Sequence, residues 1–247
     1  MADVDGGCVE AEEQEPDRPP PLLLALHRRW PPLTVASAVL PLLLGLAAMV
    51  DAGRLLVWDR PLTETAVAHR TPRLNDLALA ASRCGSWKVV YPAAIVIALV
   101  AAWRSRPLAG VIVVVVAARP AVEWLLKDVV GRPRPAGARL VAGTGFAYPS
   151  GHVLAAVATW GFLPAVVALY AHRHAFRIIA RAAALALILA VAWSRVWLGV
   201  HWTSDVVGSL AIGYLVITLA ELWLDRRSPD ATNVPPAGAD VSSVASS

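Results

Sequence analysis

The 247-residue chain is 57% hydrophobic and only 16% charged, with 10 tryptophans, a composition that excludes an ordinary soluble domain and fits an integral membrane protein. Its formal net charge is +4, but seven acids lie in the first 18 residues against a single Arg18, so residues 19–247 hold 21 bases against 11 acids, a net +10. That excess suits anionic headgroups or phosphate, although juxtamembrane Lys and Arg in any bilayer protein look the same.

In chain order, residues 1–29 form an expected disordered tail, acidic and Pro-rich. Cys8 lies there and Cys84 in a later loop, without paired or metal-ligand spacing, so neither a disulfide framework nor a zinc site is expected. The first apolar run starts late and is long enough to span, which reads as a retained anchor and not a cleaved signal. Six apolar segments approach the ~20 residues that a helix needs to cross the hydrocarbon core. They are Leu33–Val50, Trp87–Trp103, Pro107–Leu126, Val153–Ala171, Ile178–Trp193 and Val206–Leu224. Trp30, Trp87, Trp103, Trp124, Trp193 and Trp223 stand at their ends, the headgroup depth that an amphipathic ring prefers. No internal repeat is visible. The expected fold is an all-α bundle of six transmembrane helices over residues 30–224, followed by a second disordered tail over 225–247.

Loops two (Arg104–Arg106) and four (His172–Arg177) are short and basic. Loops one (Asp51–Ser86), three (Lys127–His152) and five (Ser194–Asp205) carry everything else. Because spans alternate in direction, the odd loops emerge at one membrane face. Bases near the N-terminus, in the short loops and after the last span favour a cytoplasmic side for both termini, which makes the opposite face extracytoplasmic.

Three motifs fall in the odd loops. Lys127 is followed after six residues by Arg134-Pro135; Pro149-Ser150-Gly151-His152 opens the fourth span; Ser194-Arg195 precedes His201 and Asp205. A phosphomonoester brings close to two negative charges, and its transition state spreads charge over the equatorial oxygens, so fixed cations and donors are what it needs. Lys127, Arg134 and Arg195 can supply them; taken singly, each also looks like an interfacial base snorkelling to headgroups. Ser150 and Gly151 at a helix start can bind an anion through unsatisfied N–H groups, or form an ordinary capped turn. His152 and His201 are the candidate acid–base and nucleophile pair, and Asp205 shares a face with His201 if the sixth helix begins near 201. Two histidines and an aspartate could also hold a divalent cation, but three neighbouring bases oppose it and no metal is expected.

The order of these motifs, with eleven identities, resembles the signature of the type 2 phosphatidic acid phosphatases, also called lipid phosphate phosphatases. The resemblance covers roughly residues 87–224. It implies six helical spans, hydrolysis without metal or other cofactor, and a phosphohistidine intermediate. By that likeness His201 attacks phosphorus, Asp205 orients it and His152 protonates the departing alkoxide. Lys127, Arg134, Ser150, Gly151 and Arg195 hold the phosphoryl oxygens.

Arg119, Glu123 and Lys127, spaced by four, should line one helix face, with Glu123 holding Lys127 toward phosphate or serving only in an interfacial ion ladder. The expected substrate is a membrane lipid phosphomonoester such as phosphatidic acid, with polyprenyl diphosphates used as wall-glycan carriers second. A non-catalytic binder or transporter of lipid phosphates is the alternative of another class. No nucleic-acid partner is expected, and the oligomeric state is open.

Overall fold

The computed structural model describes residues 53–137 and 139–227. Among them the fold is helical throughout, without strands: α1 (Leu56–Ala68), α2 (Pro72–Arg83), α3 (Trp87–Ala102), α4 (Arg106–Val130), α5 (Gly151–Trp160), α6 (Leu163–Ala168), α7 (His174–Trp197) and α8 (Thr203–Arg227). The expected first span, the acidic tail and the stretch beyond Arg227 lie outside the described residues.

Four stretches are long and apolar enough to cross a bilayer: α4, α5 with α6, α7 and α8. A fifth results if α2 and α3, bent by 46° at their junction, count as one broken span. Their outward faces are apolar: Ile95, Leu99, Val114, Ile179 and Leu185 are each more than half exposed. Water would penalise so much contiguous apolar surface, whereas lipid chains match it. The protein is an integral membrane protein.

Several boundaries differ from the sequence expectation, each for a local reason. Loop one holds two helices, because Thr71 caps α2 by accepting a hydrogen bond from the Leu74 amide while Pro72 occupies the first turn, a strong start signal in a segment too short to span. The fourth span breaks after Trp160; Pro164 in the first turn of α6 has no N–H to return to the Trp160 carbonyl. The third and fifth spans run longer than expected, so Lys127 and Arg195 occupy the last turns of α4 and α7 and not loops. Pro120 lies inside α4 without interrupting it.

The main core joins α3, α4, α5, α6 and α8 through Ala94, Ala98, Ala101, Ile112, Phe162 and Ala220. Alanines at these contacts let helix backbones approach closely, the usual packing mode where lipid supplies no hydrophobic drive between helices. Gly213 on α8 marks a close approach, since a Cβ there would stand 2.6 Å from Cγ1 of Val157 on α5. Gly110 on α4 has open space around it. Gly213→Ala is therefore expected to destabilise the detergent-solubilised protein by about 1–3 kcal/mol through overpacking, while Gly110→Ala is neutral or slightly stabilising. Thermal unfolding of the two variants checks this, and equal midpoints would contradict the packing described.

Candidate active site

Gly131, in the left-handed conformation at φ 58°, ends α4 and turns the chain, and Pro133 and Pro135 keep the next residues out of helix. The segment therefore runs extended, with Arg132 and Arg134 pointing to different partners. Arg134 donates from Nε to the Gly145 carbonyl at 3.0 Å, from Nη2 to Thr144 O at 2.9 Å and from Nη1 to Val200 O at 2.7 Å. Nη1 also lies 3.1 Å from Nε2 of His201. A guanidinium has donors only, so Nε2 must be the accepting, unprotonated nitrogen of His201. The ring proton is then on Nδ1, which faces Oδ2 of Asp205.

That second contact is looser than the sequence suggested. Helix α8 starts at Thr203, so His201 precedes the helix, and Nδ1 stands 3.6 Å from Asp205 Oδ2. This is beyond a good hydrogen bond, yet close enough for the carboxylate's charge to act. His201 is fully buried, and its pKa is pushed down to about 4, first by desolvation; Asp205 opposes this, and Arg134 and Arg195 reinforce it. The imidazole is neutral at physiological pH with its lone pair turned toward the arginine.

At the mouth of α5, the Ser150 amide donates to Ser209 Oγ at 2.7 Å, and that hydroxyl donates to the Asp205 carbonyl at 2.7 Å. The second motif is thus tied to α8 beside the aspartate. Ser150 caps α5 by backbone only, and its buried hydroxyl has no partner. His152 is half-buried in the first turn of α5, within electrostatic reach of Arg195, His201, Arg119 and Arg134. Arg195 is buried; Nη1 donates to Ser82 Oγ at the end of α2, and Nε has no partner.

Glu123 bridges Arg119 (2.5 Å) and Lys127 (2.8 Å) on one face of α4. Its carboxylate packs so closely against Gly151 that any Cβ there would collide with it. Arg119 also reaches the Gly151 carbonyl at 3.3 Å and Tyr91 Oη at 3.4 Å. Lys127 is thereby directed toward the α5 N-terminus. The three motifs, separated in sequence, meet through Arg134 on His201, Glu123 on Gly151, and Ser150 on Ser209.

Sequence reasoning missed several neighbours. Arg132 is buried between Asp59 of α1 and Asp205, and Ser82 holds Arg195. Arg132 stood in plain view between two candidate bases, and the Gly-Arg-Pro-Arg-Pro run was its only local signal; nothing local marks Asp59 or Ser82. Among the described residues no three His, Cys, Asp or Glu side chains cluster as a metal site would require. Arg134 and Arg195 stand within electrostatic reach of a neutral imidazole that has a carboxylate behind it, and the Ser150 hydroxyl and Arg195 Nε are buried without a partner, a set of groups suited to an anion.

Residues 108–229 match the model of the PAP2 superfamily. The chain is 25% identical over 180 residues to phosphatidylglycerophosphatase B of Bacillus subtilis (strain 168), covering 71% of this chain and 88% of the relative. It is 39% identical over 84 residues to phosphatidylglycerophosphatase B of Escherichia coli (strain K12), covering 34% of this chain and 31% of that protein. The crystal structure of a transmembrane PAP2-type phosphatidylglycerolphosphate phosphatase from Bacillus subtilis superposes with a TM-score of 0.70 at 23% identity, covering 79% of this chain and 98% of that one.

Glu123→Gln keeps the shape but removes the charge that aims Lys127. Turnover of the folded variant is expected to drop about tenfold, as for other residues that orient a ligand-binding group. Unchanged kinetics would reduce Glu123 to a surface ion ladder.

Proposed function

We propose that this PAP2-superfamily phosphatase hydrolyses a lipid phosphomonoester at the bilayer surface through a phosphohistidine on His201. The observation that carries this is the contact of Arg134 on Nε2 of His201, which marks Nε2 as the unprotonated nitrogen and sets it beside a cation able to pass to a phosphoryl oxygen. The substrate class follows from the membrane-embedded fold and the relatives named phosphatidylglycerophosphatase B. Phosphatidylglycerol phosphate and phosphatidic acid, both glycerolipid monoesters, are the first candidates. Lateral access to a site at a membrane face would let the headgroup enter while its acyl chains stay in lipid.

In the first step Nε2 attacks phosphorus in line with the ester oxygen. The N–P bond forms, the P–O bond to the lipid breaks, and His152 gives its proton to the departing alkoxide. The imidazole gains positive charge, which Asp205 stabilises from the Nδ1 side. Arg134, having lost its acceptor, turns its donor to a phosphoryl oxygen. Lys127, Arg195 Nε, the Ser150 hydroxyl and the Gly151 amide hold the others as charge builds. In the second step His152 takes a proton from water, whose oxygen attacks phosphorus; the P–N bond breaks and inorganic phosphate leaves. Neither step calls on a metal, since the protein cations occupy the role that one would fill.

The arrangement in the bilayer belongs to the same proposal: six spans, the three motifs at one face, that face extracytoplasmic, and both termini in the cytoplasm as disordered tails. The basic short loops and the long odd loops support it.

Purified protein in detergent micelles is expected to release phosphate from phosphatidylglycerol phosphate in the presence of EDTA, and His201→Ala is expected to lose at least about a thousandfold of the rate. Substantial turnover by His201→Ala would overturn the nucleophile; dependence on added metal would overturn the cation roles. Binding without release would mark the chain as a carrier.

The pH profile gives a separate check. His201 attacks only when neutral, so the acid limb of kcat/KM that it controls should lie near its lowered value of about 4, after correction for substrate ionisation. A limb at the ordinary histidine value of 6.5 would contradict the buried, arginine-flanked imidazole.

A further inference from the structure

Behind Asp205 lies a buried network that the family motifs do not include. Arg132 donates from Nη1 to Asp205 Oδ1 at 2.5 Å and to Ser204 Oγ at 2.7 Å, and from Nη2 to Asp59 Oδ2 at 2.6 Å. Asp59 accepts from the Ser204 amide through Oδ1 at 2.9 Å and from the Ser204 hydroxyl through Oδ2 at 2.6 Å. Asp59, Arg132 and Asp205 are 2%, 4% and 0% exposed. Oδ2, the other oxygen of Asp205, accepts the Trp202 amide at 2.9 Å and faces His201.

We propose that Asp59 and Arg132 are positioning residues for the reaction, fixing the orientation and the charge of Asp205 against His201. This rests on His201 as nucleophile and extends it to α1, which lies outside residues 108–229, the part of the chain that matches the family.

The reasoning has a geometric and an electrostatic part. With Oδ1 held by Arg132 and Oδ2 by the Trp202 amide, the Asp205 carboxylate cannot rotate, so one oxygen always faces Nδ1. Asp59 in turn anchors the guanidinium and caps the first turn of α8 from another helix, so the carboxylate, the arginine and the helix start move as one body. Two buried carboxylates share one guanidinium, which leaves the network with a net charge of −1. A lone Arg132–Asp205 pair would be neutral and would present little field to the imidazole. The second carboxylate offsets the guanidinium charge, so the network presents net negative charge to the ring, which matters once the ring becomes cationic in the phosphoenzyme. Asp59 acts through Arg132, and neither touches the phosphate.

The test uses full-length protein in micelles of phosphatidylglycerol phosphate, with kcat and KM measured separately for Asp59→Asn, Arg132→Gln, their combination and His201→Ala. Asp59→Asn and Arg132→Gln are each expected to lower kcat about ten- to a hundredfold, in the range for residues that orient a site group, with KM within about twofold of wild type. Because Asp59 works through Arg132, the double variant should be no slower than Arg132→Gln alone. Losses that multiply, a change confined to KM, or wild-type kcat in Asp59→Asn would overturn the proposal. In the last case an inactive His201→Ala leaves the nucleophile standing; an active one removes both. If Asp59→Asn does not fold, Ser204→Ala carries the test: it cuts the hydroxyl shared by Asp59 and Arg132, should lower kcat about threefold at unchanged KM, and overturns the proposal if kcat holds.

Discussion

A guanidinium can donate hydrogen bonds and never accept them, and on that asymmetry the state of His201 depends. Arg134 is held by three backbone carbonyls from two loops, 144–145 and 200, which keep its guanidinium beside Nε2 in the resting site. It forces the Nδ1–H tautomer, sets the lone pair on the side of the cations and leaves the proton facing Asp205. Burial completes the effect, since an imidazolium this close to Arg134 and Arg195 would be repelled and desolvated together.

The same economy of placement runs through the helix ends. Lys127 closes α4, Arg195 closes α7, and Ser150-Gly151-His152 opens α5. Cations at helix C-termini are favoured by the dipoles there, and an N-terminus is favourable for an anion. Crowding several bases around one point is costly without an anion. Glu123 offsets part of that cost for Lys127 and Arg119, and the paired carboxylates do so for Arg132. Breaking a buried pair such as those of Arg132 by removing one partner typically costs about 3–5 kcal/mol, so Asp59 and Asp205 bear on folding as well as on electrostatics.

Much of this was legible in the sequence, and the unread part has a common cause. Segment length and composition located the helices because crossing a bilayer imposes a length, and short motif spacings exposed Lys127, Arg134, Ser150, Gly151, His152, Arg195, His201 and Asp205 as candidates. The Arg119–Glu123–Lys127 face followed from helical period alone. What could not be read were contacts between distant segments: Arg132 to Asp205 across 73 residues, Ser82 to Arg195 across 113, Asp59 to Ser204 across 145. No local pattern encodes those partners. Helices α1 and α2 escaped for a different reason, being too short to cross and too polar to resemble a span, while Pro164 broke a fourth span that hydropathy alone reads as continuous.

The central claim is that His201 carries the phosphoryl group between the two steps. Rapid acid- and base-quench of the enzyme with a lipid labelled in its phosphate, followed by peptide mapping, tests it most directly. The account predicts a transient label on His201 that is stable in base and lost in acid, formed and consumed at rates compatible with turnover. Label on another residue, or phosphate release in single turnover with no labelled enzyme at any time, would contradict it.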